Sequence, residues 1–122
     1  MLLNDLYTIQ SISESENTIS AIIQLKEDHA IFNGHFPGQP VLPGVCMMEM
    51  ITEIAGLHLN KSFRISAGPM IKFLRMIDPR KNSIINLEIK YQSSPEGLIT
   101  SGKIFFVSET FMKFHLSLER FD

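Results

Sequence analysis

The stretch PGVCMMEMITEIAGL, residues 43–57, decides the fold. Proline is well placed in a first helical turn, because that turn's N–H groups have no intrahelical partner. Val45, Met47, Met48, Met50, Ile51, Ile54, Ala55 and Leu57 are apolar. Glu49, Thr52, Glu53 and Gly56 share one narrow stripe at helical spacing. The spacing predicts a helix from Pro43 to about Leu57, ended by HLNKS. A helix apolar over most of its circumference must be enclosed on most sides.

The flanking sequence supplies the enclosure. TISAIIQLK, residues 18–26, alternates: Ile19, Ala21, Ile23 and Leu25 fall on one face, Thr18, Ser20, Gln24 and Lys26 on the other. That is the pattern of a half-buried strand. SESEN before it reads as a turn, and residues 2–12 read as its more weakly patterned partner. Residues 27–42 have no period and many glycines and prolines, so they read as loop. After the helix, residues 69–78 are apolar on both faces, and IINLEIKYQ, 84–92, alternates. SPEG, 94–97, has Pro and Gly at the second and fourth positions of a turn. Strands at 99–107 and 112–119 follow, joined by SET. Two strands, a helix and four strands linked by short turns imply antiparallel neighbours. The simplest architecture is α+β: a curved antiparallel sheet enclosing one long central helix.

A chain of 122 residues suits a single domain, 1–122. With 44% apolar and 20% charged residues, disorder is excluded. Net charge is −2 with both signs spread, so there is no basic stripe for nucleic acid. Cys46 is the only cysteine, so no intrachain disulfide can form. MLLNDLYTIQ has an acid at position 5 and no basic start, unlike a signal peptide. No apolar run approaches the roughly 20 residues that span a bilayer. A cytoplasmic, soluble protein with no membrane association is the expectation.

Chemistry concentrates just before and within the helix. GHFPGQPVLPG, residues 34–44, sets three prolines and three glycines around His35. Such a backbone is restricted at some points and permissive at others. It would hold an imidazole that titrates near neutral pH; the plainer alternative is a loop histidine bonded to a carbonyl. Glu49 lies about two turns into the helix among methionines. Poor solvation and like charge from Glu53 would both raise its pKa, as a general acid requires. A solvated polar stripe is the plainer reading. Gly44 offers an unshielded N–H at the helix start, where charge developing on a carbonyl oxygen could rest; water on a capped end is the alternative. His29, His35, His58, His115 and Cys46 show no zinc-ligand spacing. No G-x-S-x-G or phosphate loop occurs. Cys46 reads as a small buried hydrophobe.

The run GHFPGQPVLPGV, residues 34–45, closely resembles the signature of the β-hydroxyacyl-acyl-carrier-protein dehydratases, G-H-F-P-G-x-P-x-x-P-G-V. In that family a catalytic acid follows fourteen residues after the histidine, which is the spacing of His35 and Glu49. LLNDLYTIQ resembles the family's first strand, and IKFLRMIDP its strand after the helix. The resemblance implies the hot-dog fold. It also implies a homodimer, possibly assembled further, with histidine and acid contributed to each site by opposite subunits. By likeness, His35 would remove the C2 proton of a 3-hydroxyacyl thioester on acyl carrier protein. Glu49 would assist loss of the 3-hydroxyl as water. Gly44 and Val45 would bind substrate, the Gly44 N–H polarising the thioester carbonyl. No metal or redox cofactor is implied, because the elimination moves only protons. Met47, Met48 and Met50 could line an acyl tunnel or fill core. The chain departs from the family at Gln39, where a basic residue is frequent, at Glu53, where glutamine is usual, and at DPRKN, which replaces a Pro-Gly-Asp turn. Two other readings stand beside this one: a hot-dog thioesterase in which Glu49 orients water, and a non-catalytic subunit that binds acyl carrier protein.

Overall fold

A computed structural model describes residues 1–33, 38–66 and 70–121. Among these, the chain forms β1 (Tyr7–Ser15), β2 (Thr18–Leu25), a 3-10 turn (Ala30–Asn33), α1 (Gly44–Leu59), β3 (Phe63–Ile65), β4 (Met70–Phe73), β5 (Ile84–Ser93), β6 (Gly97–Phe106) and β7 (Glu109–Arg120). The seven strands make one sheet in the order β1-β2-β5-β6-β7-β3, with β4 also paired to β7. All of these pairings are antiparallel. The sheet curls around α1, which packs on β2, β3 and β5.

Register explains the core. Ile19, Ala21 and Ile23 of β2 stand opposite Ile89, Leu87 and Ile85 of β5. Leu87 in turn faces Ile104, and Ile104 faces Met112. All of these are buried, and Met50, Ile51, Ile54 and Ala55 of α1 close the core with no exposed surface. Each fully buried Ile, Leu or Met contributes about 1.5–3 kcal/mol of transfer free energy.

The weak patterning of the first strand has a cause. A bulge between Ile9 and Ser11 shifts β1 against β2, so Ile9 faces Ile23 but Ile12 faces Ala21. The inward parity changes from odd to even positions, which erases a clean alternation. β1 then runs to Ser15, and the turn shrinks to Glu16 and Asn17, with φ of 50° and 58°. Two successive left-handed residues match the strand twist in a two-residue hairpin.

Among the described residues, five strands rather than four follow the helix. The additional one, β3, has three residues and is held by β7. β4 is shorter than the apolar run 69–78. The N–H groups of Leu74 and Arg75 both reach the Phe111 carbonyl, at 2.8 and 3.2 Å, which ends the regular ladder. Ile77 is then fully buried, and its carbonyl accepts the Leu42 N–H at 2.9 Å. On the outer face, one register row sets Lys103 of β6 opposite Lys113 of β7, and Lys113 opposite Lys72 of β4.

Candidate active site

The start of α1 is built by its own sequence. Pro43 is the N-cap, with φ −64° and ψ 145°. Its carbonyl accepts the N–H groups of Cys46 and Met47 at 3.0 and 3.2 Å, and no side chain caps the end. The first N–H groups of the helix therefore have no intrahelical partner. Glycine at 44 leaves room for the Phe73 ring, since a Cβ there would lie 2.6 Å from its Cζ. The Phe73 ring sits directly against the first turn. Together Leu42, Gly44, Met47, Phe73, Leu74 and Met76 border an apolar cavity of about 470 Å³. Val45 points away from the fold and is 72% exposed.

The middle of α1 depends on distant residues. Glu53 is only 7% exposed. Its Oε2 accepts the Leu2 N–H at 2.9 Å, and its Oε1 accepts the Leu3 N–H at 2.9 Å and the Tyr7 hydroxyl at 3.0 Å. Tyr7 is fully buried. Burial, and then the charge of Glu53, push its hydroxyl far above the usual phenol range, so it remains a donor. Glu49, one turn earlier, is exposed along the cavity rim. Partial loss of solvation by its surroundings raises its carboxyl above the usual range, and the charge of Glu53 raises it further. The Thr52 hydroxyl donates to the Glu49 carbonyl at 2.8 Å. Glu49, Thr52, Glu53, Lys61, Phe63 and Phe121 border a second cavity, of about 370 Å³. The polar stripe is thus no solvated face at Glu53, which is enclosed and bonded by the first strand and the residues before it.

Glu49 and Gly44 open onto different cavities of the same chain. Five residues separate them, about 140° around the helix axis. His35 lies outside the described residues. Met47 and Met50 are buried, Met50 completely, so Met50 is core and Met47 is core at the edge of the apolar cavity. Cys46 is 5% exposed, and burial followed by Glu49 raises its thiol, as suits an inert hydrophobe. His29 bonds Asp5 at 3.1 Å and accepts the Ile31 N–H at 3.0 Å, while His58 bonds Glu14 at 2.8 Å. Both are occupied in structural contacts. Among the described residues no group of three His, Cys, Asp or Glu side chains could hold a metal ion, and no helix is long and apolar enough to cross a membrane. Tyr7 escaped the sequence reading. Its only local signal is an aromatic in a poorly alternating strand, and the bulge hides its direction.

The family model described as ApeI-like, ApeI dehydratase, matches residues 11–102. The 3-hydroxyacyl-[acyl-carrier-protein] dehydratase FabZ of Vibrio atlanticus is 35% identical over 68 residues, which are 56% of this chain and 45% of that protein. The enzyme of the same name from Streptococcus pneumoniae is 50% identical over 48 residues, 38% of this chain and 34% of that one. The chain thus matches less than half the length of these relatives. The solved dehydratase heterocomplex ApeI:P from Xenorhabdus doucetiae contains a chain that superposes with a TM-score of 0.73 at 22% identity, covering 92% of this chain and 96% of that one. The arrangement of one long helix in a curled antiparallel sheet is the hot-dog fold.

Proposed function

The chain belongs to the ApeI-like dehydratase family, and on that premise we propose that it removes water from (3R)-3-hydroxyacyl thioesters carried on acyl carrier protein, yielding trans-2-enoyl thioesters. The observation that carries this reading is the state of Glu49. Glu49 borders a cavity one helical turn from a second carboxyl group, and its proton affinity is raised there. Such an acid holds its proton more tightly than an ordinary carboxyl group, which suits delivery to a departing hydroxyl. His35 accepts the C2 proton, the C3–O bond breaks as Glu49 protonates the oxygen, and a C2=C3 double bond forms. The Gly44 N–H holds the thioester oxygen while negative charge builds on it, with Val45 beside it at the substrate. One oxyanion donor is worth about 10²–10³ in rate.

The separation of Gly44 and Glu49 into two cavities supports pairing of two copies, in which each acid faces the loop and histidine of its partner. The unit is a single domain that forms a homodimer. The test is water loss, or its reverse, with a 3-hydroxyacyl thioester on acyl carrier protein. His35→Ala and Glu49→Gln should each lower kcat/KM by about 10²–10⁴. Wild-type rates in both variants overturn the reading. Free thiol released without an enoyl product points instead to hydrolysis.

A further inference from the structure

Glu53 is a buried ionisable group that the proposed reaction does not use. Carboxylate oxygens have about four acceptor positions in total. Three on Glu53 are filled by donors that cannot easily leave: two backbone N–H groups and a phenol enclosed in the core. Residues four apart on a helix stand about 5–6 Å apart at Cβ. Glu49 stands one turn from Glu53 on α1, and both face one cavity.

We propose that Glu53 is the positioning residue for Glu49: fixed by the Leu2 and Leu3 amides and the Tyr7 hydroxyl, its carboxylate accepts the acidic hydrogen of Glu49 and aims that acid into the cavity. The inference rests on Glu49 being the acid of the proposed reaction. A glutamine at 53 could orient Glu49, but it carries no charge. With glutamate there, removing the proton from Glu49 sets two anions one helical turn apart. The proton is therefore held to higher pH. The other groups facing the pair are Tyr7 from β1, which stays a neutral donor, and Cys46 one turn earlier on α1, whose raised thiol is neutral. Lys61 borders the same cavity beyond the helix end, and the Met1 amino group opposes the rise at Glu49. Segment 1–7 thus acts on the proton of Glu49 without touching substrate.

The experiment is a carbon-13 NMR titration of side-chain carboxyls in the full chain, with Glu49 assigned from the signal lost in Glu49→Gln. In Glu53→Gln the midpoint of Glu49 should fall by about one pH unit, a tenfold change in proton affinity. Tyr7→Phe keeps both carboxyls and removes one of the donors that fix Glu53, and the Glu49 midpoint should shift in the same direction by less. An unchanged Glu49 midpoint in folded Glu53→Gln overturns the proposal. If that variant does not fold, an unchanged midpoint in Tyr7→Phe does so. In the dehydration assay, the alkaline limb of kcat/KM should move to lower pH by the same interval in Glu53→Gln. A merely structural role would lower the plateau and leave the limb in place. A shifted midpoint together with no enoyl product from wild type would retain the carboxyl pair and reject the reaction.

Discussion

At its first turn α1 presents a bare amide beneath an aromatic ring in an apolar cavity; further along it presents two carboxyl groups to another. The first end is set by neighbours in sequence. Pro43 stops the helix from beginning earlier, and Gly44 leaves room for Phe73. The middle is set by partners 46 to 51 residues away, which tie Glu53 to the chain's first strand and the residues before it. One helix can therefore supply two unlike half-sites, because one is a local backbone geometry and the other a tertiary hydrogen-bond network.

The sharpest break in that contrast is Glu53→Ala. It leaves two backbone N–H groups and a buried phenol without their acceptor. Stability should fall by about 2 kcal/mol, with the denaturant midpoint as the measurement. A midpoint equal to wild type would mean that the network is incidental. At the other end, Gly44→Ala pushes a methyl into the Phe73 ring. The ring is 54% exposed and can swing away, so the loss should be smaller, about 1 kcal/mol. It should vanish in a Phe73→Ala background. Additive losses in the double variant would show that the ring does not rest on the glycine as described. The smallest effect belongs to Glu49→Gln. Folding raises the proton affinity of Glu49, so stability declines as pH rises from the ordinary carboxyl range through the raised value. Glutamine removes that decline. The variant should be slightly more stable than wild type at neutral pH and lose its advantage in acid, where Glu49 is protonated both folded and unfolded. An advantage persisting unchanged in acid would assign the gain to packing instead.

Much of the fold was legible because periodicity reports burial directly. α1, β2, β5, β6 and β7 fall where alternation or all-round apolarity placed them, with no end moved by more than three residues. β3 was not legible, since three residues carry no period, and its strand geometry comes from β7. The 3-10 turn was missed for the same reason: it is closed by the His29 side chain accepting the Ile31 N–H, a contact without periodicity. At the site, the raised carboxyl of Glu49 was readable from its methionine neighbours and Glu53. The partners of Glu53 were not, because the bulge in β1 conceals which way Tyr7 faces.

The row Lys72–Lys113–Lys103 has a consequence for the solvent this protein prefers. Like charges directly opposite on adjacent strands repel; Lys103 is partly accommodated by the Phe105 ring, 4.6 Å from its Nζ, while the other two project into water. Dissolved ions would weaken that repulsion within a Debye length of about 10 Å at 0.1 M. This side of the sheet should accordingly tighten, rather than loosen, as ionic strength rises.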